Sequence, residues 1–258
     1  MKLKLLSILA ISTLVVACSN NQGADDKSAA TTGEKQIRIA TESSFKPFSY
    51  LDASGNLVGF EIDLANALCQ EMAAKCDIQS QDWDGLIVGL NAKKFDAVMA
   101  GMSATSERAK VVDFSDSYFN NTLVLLGQKG VELNANTLDD KNIAVQQATV
   151  SADYLTKNHP KATIKAYSTQ DNAYLDLTAG RVDGMLSDIV PALDWLKTEQ
   201  GADFEVKGEP IDINDSVAIA LRKNDPLKDE FNTALATLKQ NGKYDELVDK
   251  YFDKTIIK

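Results

Sequence analysis

The chain has 258 residues, 44% of them hydrophobic, with 27 Lys and Arg against 37 Asp and Glu for a formal net charge of −10. That length and apolar content suffice for a sizeable core in one or two lobes. The acidic balance argues against nucleic acid and against a polybasic membrane patch; it leans towards a cationic guest, while serving equally to keep an exported chain soluble and monomeric.

Lys2 and Lys4 precede an apolar run from Leu5 to Ala17 that is broken only by Ser7, Ser12 and Thr13. This is the pattern of a secretory signal, too short to span a bilayer comfortably, so residues 1–17 are expected to be removed. Their loss takes two lysines and no acids, leaving a formal charge of −12. Val15-Val16-Ala17-Cys18 resembles the lipobox of bacterial lipoproteins, which implies acylation of Cys18. An ordinary signal with a spare cysteine is the competing reading. Residues 18–34, rich in Ser, Asn, Gly, Ala and Thr, fit a flexible tether with almost nothing to bury.

From Ile37 strands and helices alternate. Ile37–Ala40 reads as a strand, and Phe48–Tyr50 and Leu57–Gly59 flank a hairpin-like turn at Ala-Ser-Gly-Asn. Ile62, Leu64, Ala65, Leu68 and Met72 then recur at helical spacing. With Cys18 assigned to lipid, Cys69 and Cys76 form an even pair in an exported chain, which reads as a disulfide; two buried free thiols are the alternative. An unbroken helix would separate them by about 10 Å of rise, so the helix must stop near Ala73–Lys75 before a strand from about Asp77. Leu86, Ile87 and Leu90 mark a helix and Ala97–Met99 a buried strand, giving βαβ units and a mostly parallel sheet covered by helices on both faces.

The strand Thr122–Gly127 leads into polar residues and a fresh start at Asn142. The alternation then repeats through strands at Ile143–Val145, Ile164–Ala166 and Val182–Leu186, with helices from Val150, around Asn172–Ala179 and through Trp195. A last strand, Val217–Leu221, precedes helices near Leu227–Gln240 and Tyr244–Tyr251 whose apolar stripes need a sheet to cover. The expected organisation is a first lobe of residues 35–122 and 217–258 and a second of residues 127–212. Hinge strands near 123–127 and 213–217 would join them.

The segments Gly59-Phe60-Glu61-Ile62-Asp63-Leu64-Ala65, Trp83-Asp84-Gly85-Leu86-Ile87, Asp96-Ala97-Val98-Met99, Ser106-Glu107-Arg108 and Asp113-Phe114-Ser115 resemble, in order and spacing, the extracellular solute-binding proteins of polar amino-acid ABC transporters. The resemblance runs from about Ile37 to Phe252. It implies an α/β, two-lobed periplasmic binding protein fold of type II, each lobe a mixed, mostly parallel sheet with flanking helices. It also implies a monomer that delivers an L-amino acid to membrane permease subunits, with no cofactor. Cys69 and Cys76 look like the disulfide of the branch that binds lysine, arginine, ornithine and histidine.

An amino acid needs a forked cation for its carboxylate, a charged acceptor for its ammonium and a shaped wall for its side chain. Arg108 suits the carboxylate because a guanidinium offers two parallel N–H groups; a surface arginine paired with Glu107 or Asp113 is the competing reading. By resemblance Ser103 contacts the ammonium and Gly101 offers backbone. A helix start at Thr149-Val150 supplies free N–H groups for an anion. Asp188 looks like the ammonium acceptor, or a helix N-cap, or both. Phe45 and Trp83 fall where the family places walls, although aromatics at strand ends are commonly core. Glu42 and Glu61 occupy positions where the basic-ligand branch carries acids, which points to arginine, ornithine or lysine.

Ala100, Gln146 and Val150 depart from relatives that have serine, leucine and threonine there, and Gln146 could reach a guanidinium. An exported dehydratase of cyclic dienyl acids on the same fold is the second functional class, with Glu42 or Glu61 as general acid. The single histidine, His159, is expected in a solvated loop, and no metal-ligand cluster or glycine-rich phosphate loop is present in the sequence. The protein is expected outside the cytoplasm, lipid-anchored to a bacterial membrane, its folded part in the periplasm or at the cell surface.

Overall fold

The computed structural model describes residues 35–252; the expected signal, lipidation and tether positions lie outside the described residues. The elements run β1 (Lys35–Thr41), β2 (Ser44–Phe45), β3 (Ser49–Leu51), β4 (Leu57–Val58), α1 (Phe60–Glu71), β5 (Ala74–Ser80), α2 (Leu86–Asn91), β6 (Ala97–Val98) and β7 (Asp113–Gln128). They continue with β8 (Asn142–Gln146), α3 (Val150–Asn158), β9 (Thr163–Tyr167), α4 (Gln170–Thr178), β10 (Gly184–Asp188), α5 (Ile189–Leu196), β11 (Phe204–Val206), β12 (Ile211–Leu221), α6 (Leu227–Gln240) and α7 (Lys243–Tyr251).

The large sheet has the order β5-β1-β6-β12-β7-β10-β8-β9, with β11 also on β7, and β2, β3 and β4 form a small antiparallel sheet. Pairing is parallel at both flanks, β1 with β5 and β6, β8 with β9 and β10, and antiparallel in the centre. Two apolar clusters cover the first flank. Ile39, Phe60, Leu64, Phe231 and Leu235 lie on the side of α1 and α6, and Leu86, Leu90, Phe95 and Val112 on the side of α2. Two more cover the second flank, around Tyr174 and Trp195 and around Leu125, Val145 and Leu155. The two flanks of this one sheet, referred to below as lobes, are each covered by helices over apolar clusters of their own.

α6 buries Leu227, Phe231, Ala234, Leu235 and Leu238, spaced at one helical face, and packs on α1 and β7 in the first lobe. The terminal helix α6 thus packs back on the flank built from the first part of the chain.

β7 and β12 join the lobes. Asn121 and Asn120 stand opposite Asp215 and Ser216, whereas Leu123–Leu126 pair along the other edge of β7 with Asp188–Met185 of β10. The buried run Leu123–Leu126 is therefore already paired with the second flank, and β7 takes on its second partner at Leu123, where the expected 123–127 crossing begins. β7 also begins at Asp113, earlier than its apolar run indicates. Its first half is rich in polar residues, and several of these side chains bond across to β12, as where Ser117 Oγ donates to the Val217 carbonyl at 3.0 Å.

α1 stops at Glu71 and Ala73 turns with φ 48°, which brings β5 in from Ala74 rather than Asp77, parallel to β1. The reversal puts Cys69 and Cys76 at a Cα separation of 5.9 Å in a disulfide. The bridge ties the end of α1 to the edge strand and shortens the unfolded chain's freedom. Replacing both cysteines with alanine should cost about 2 kcal/mol, lowering Tm by about 4–8 °C. Thermal denaturation with and without reductant checks this; an unchanged Tm in both would remove the structural role.

Candidate functional site

Between the lobes lies a narrow crevice, with about 20 Å³ open to the centre of a water molecule, bordered on one side by Glu42, Phe45, Trp83, Ala100, Gly101, Ser103 and Arg108. The opposite wall carries Gln146, Thr149, Val150 and Asp188. Gly101 has φ 58°, and a Cβ there would sit 2.4 Å from the Phe45 ring. Only glycine lets the chain turn beneath Phe45 and present its backbone to the crevice.

Arg108 opens a 3-10 turn and is half-buried, with its guanidinium carbon 5.1 Å from the Trp83 ring centroid. It donates from Nη1 to the Ser103 carbonyl and from Nη2 to the Ala148 carbonyl, both at 2.9 Å. Glu107 pairs with Lys110, and Asp113 with Lys223, so neither holds the arginine as a surface ion pair. Burial pulls the Arg108 pKa down, opposed by the carboxylates of Asp215, Asp153 and Asp188. Ala148 has φ 54°, uncommon outside glycine, and this turn aims its carbonyl at Arg108 and at Trp83 Nε1, 3.3 Å away.

α3 begins at this same turn. Thr149 caps it by accepting from the Ala152 N–H and donates to the Gln146 carbonyl at 2.8 Å. The remaining first-turn N–H groups carry the positive end of the helix dipole, at a helix start that lines the same crevice as Arg108.

Two acids complete the lining. Glu42, 4% exposed, accepts at Oε1 from Ser44 Oγ at 3.0 Å and, across the crevice, from Gln146 Nε2 at 2.7 Å. Burial pushes its carboxyl up to about 7, against the pull of those two donors. Asp188 ends β10 and stands at the N-cap of α5 without a side-chain cap bond; its Oδ1 accepts instead from Asn121 Nδ2 at 2.8 Å. Burial raises it to about 7 as well, with Asn121 and Arg108 lowering it and Asp215 adding to the rise.

Residues 37–254 match the model of the bacterial extracellular solute-binding proteins, family 3. The chain belongs to that family. It is 37% identical to the lysine/arginine/ornithine-binding periplasmic protein of Escherichia coli K12, over 84% of this chain and 87% of that protein. It is 34% identical to the L-arginine-binding protein of Pseudomonas aeruginosa PAO1, over 97% of this chain and 96% of the relative. Among solved structures, an ancestral arginine-binding protein bound to arginine superposes with a TM-score of 0.82 at 33% identity, covering 85% of this chain and 99% of its own. These relatives are binding proteins.

In this family member the sequence-selected residues converge on one crevice, with a single exception. Glu61 is 1% exposed and does not line it. Placed in the first turn of α1, its Oε1 instead accepts from the Gly101 N–H at 2.6 Å and from the Tyr118 hydroxyl. Glu61 props the turn at Gly101 from behind. The other correction concerns His159, which is buried beside Tyr154 at a ring separation of 5.8 Å, not in a solvated loop. Ser151, Gln170 and Leu186 also line the crevice and were not singled out. Ser151 could have been found as the next residue of the anion-facing helix turn, whereas Gln170, at the start of α4, carries no local signal.

Burial raises Glu61 to about 7, against the pull of Tyr118 and Gly101, so the folded state binds a proton more tightly than the unfolded chain does. Its contribution is therefore most favourable below the ordinary glutamate range and fades as pH rises through about 7. Without added amino acid, Tm should fall on going from pH 5.5 to pH 8, and Glu61→Gln should flatten that fall by about 2–4 °C. Scanning calorimetry across the range reads it; an equal slope in both proteins would assign the effect elsewhere.

Proposed function

We propose that this chain is the substrate-binding component of an amino-acid ABC importer, closing its lobes around a basic L-amino acid: arginine, ornithine or lysine. The observation that carries the reading is the meeting in one crevice of Arg108, the start of α3, Asp188 and the buried Glu42. The guanidinium and helix start take the α-carboxylate, Asp188 and Ser103 take the α-ammonium, and Glu42 takes the cationic tip. Phe45 and Trp83 flank the methylene stem. Both donors recorded on Glu42 use Oε1, so its other oxygen is available to a guanidinium or ammonium. Gln146, already bonded to Glu42, offers its carbonyl oxygen to a guanidinium N–H. The names of the relatives, which bind arginine or lysine, arginine and ornithine, support the basic side chain.

Because Arg108 and Asp188 come from different lobes, one zwitterion engages both and favours the closed arrangement over an open one. The hinge of this motion lies where β7 and β12 cross, at Asn120–Leu123 against 211–216. The protein works outside the cytoplasm as a monomer, anchored through an acylated Cys18, and passes its ligand to permease subunits. No covalent step is required of any residue in the crevice, so the protein binds without turnover, and incubation with arogenate should yield no phenylalanine.

A thermal-shift panel of the twenty amino acids plus ornithine tests the ligand class, since a tight ligand stabilises the folded state by mass action. The largest shifts should come from arginine, ornithine or lysine; a top response from glutamate or glutamine would overturn the assignment. Arg108→Ala should weaken arginine binding by about 100-fold or more, through loss of a bidentate charge-assisted pair. Glu42→Gln should weaken arginine far more than citrulline, its neutral isostere, and calorimetric titration of the two ligands reads the difference.

A further inference from the structure

Where the two long strands cross, four polar side chains from four regions of the chain are joined. Ser103 Oγ donates to Asp215 Oδ2 at 2.9 Å. Asn121 Nδ2 donates one hydrogen to that same Asp215 oxygen at 2.9 Å and the other to Asp188 Oδ1 at 2.8 Å. Asn121 on β7 and Asp215 on β12 are paired across the ladder, and neither lines the ligand crevice; Ser103 and Asp188, at the two ends of the chain of bonds, both do. Asn121 and Ser103 are buried, 6% and 4% exposed.

The directions of these bonds are fixed by chemistry. An ionised carboxylate only accepts, and an asparagine amide has two hydrogens to give. Asp215 Oδ2 receives from both neighbours, and Asn121 commits both of its N–H groups to two carboxyl groups, those of Asp215 and Asp188. Ser103 has one hydroxyl proton, committed to Asp215, so what it turns to the crevice is lone pairs. A ligand at that point meets an acceptor from Ser103 and a carboxylate from Asp188, which is the requirement of an ammonium and not of a carboxylate.

We propose that Asn121 and Asp215 are positioning residues for recognition of the α-ammonium: Asp215 fixes the Ser103 hydroxyl as an acceptor, and Asn121 fixes the orientation of the Asp188 carboxylate. Two acceptors, one from each lobe, thereby converge on a single NH₃⁺ through a relay seated on the strands that cross between the lobes. The inference rests on the reading of the crevice as an amino-acid site and adds the pair that sets its polarity from behind.

The test compares L-arginine with 5-guanidinopentanoate, which keeps the carboxylate and the guanidinium and lacks the α-amino group. Calorimetric titration of the wild type, Asn121→Ala and Asp215→Asn gives a cycle between ligand group and protein group. Each variant should lose about 10-fold or more in affinity for L-arginine and less than about 3-fold for 5-guanidinopentanoate, as expected for a charge-assisted contact. Equal losses for the two ligands would overturn the proposal, because a merely structural role at the crossing weakens both alike.

A pH profile supplies the second readout. Asp188 is faced by Arg108, Asp215 and Tyr174, and Asn121 favours its ionised form while Asp215 disfavours it. The acid limb of L-arginine affinity should move to higher pH in Asn121→Ala and to lower pH in Asp215→Asn. Glu42 contributes equally to all three proteins, so the displacement between them reports Asp188. Limbs that coincide would overturn the relay. Should Asp215→Asn fail to fold, Asn121→Ala carries both readouts. The wild-type titration separates the two levels: a wild type that binds no L-amino acid overturns the reading of the crevice, whereas one that binds L-arginine and 5-guanidinopentanoate equally overturns only the ammonium contact and its relay.

Discussion

A carboxylate taken out of water must find a cation, enough donors, or a proton. Glu42, Glu61 and Asp188 are all held near pH 7 by burial, each with too few donors to stay comfortably ionised. For Glu42 and Asp188, which line the crevice, the most favourable relief is a positive charge arriving from the crevice itself. A guest with one cation at its α-carbon and another at the end of its side chain relieves both. The same low-dielectric surroundings that make the acids costly make their attraction for such a guest strong, and the acidic surface adds a favourable field for its approach.

In the function proposed above, the fold turns that attraction into closure. The two flanks of one continuous nine-stranded sheet each carry their own apolar clusters, and they are joined through the antiparallel pair β7 and β12. Beyond those strands they meet through Val190 of α5, which joins the first flank's apolar cluster, through the ion pair of Lys46 with Asp194, and through polar contacts at the crevice: Gln146 on Glu42, Arg108 and Trp83 on the Ala148 carbonyl, and Gln147 on Asp84. Polar contacts of this kind exchange readily for water and contribute little net free energy each. A ligand that competes for Arg108 and Glu42 therefore replaces weak links between the lobes with stronger ones and need not disturb either core.

Much of this was legible in the sequence, because periodicity reports local elements and those elements fix the topology. The apolar stripe of α6 marks its bounds, Leu227–Gln240, and the alternation of strands and helices recurs on both flanks of the sheet. The crevice residues came from motif register, not from pattern. What stayed hidden depends on contacts distant in sequence. The polar first half of β7 is a strand because Ser115, Ser117 and Asn121 find partners on or near β12, up to about a hundred residues away. Asn121 and Asp215 carry no local signal for the same reason: each is an ordinary polar residue until the ladder pairs them. β11 is three residues long, below the length at which alternation can be read.

Glu42 and Glu61 make the limit concrete. Both are acids near the start of the first lobe, both are buried, and burial raises both to about 7. They differ in which side of the Phe45–Gly101 layer they occupy. Glu42 follows directly on β1 and reaches the crevice edge, where Gln146 crosses to meet it. Glu61 enters α1 one residue after its start, and the helix turns that position inward, under Gly101 and against Tyr118. The backbone N–H of Gly101 takes the role that a ligand cation takes for Glu42. Gly101 needs φ near 58° and no Cβ to pass beneath Phe45, and a buried acceptor behind it holds that turn in place. One acid is thereby committed to shaping the pocket, which leaves the other to read what enters it.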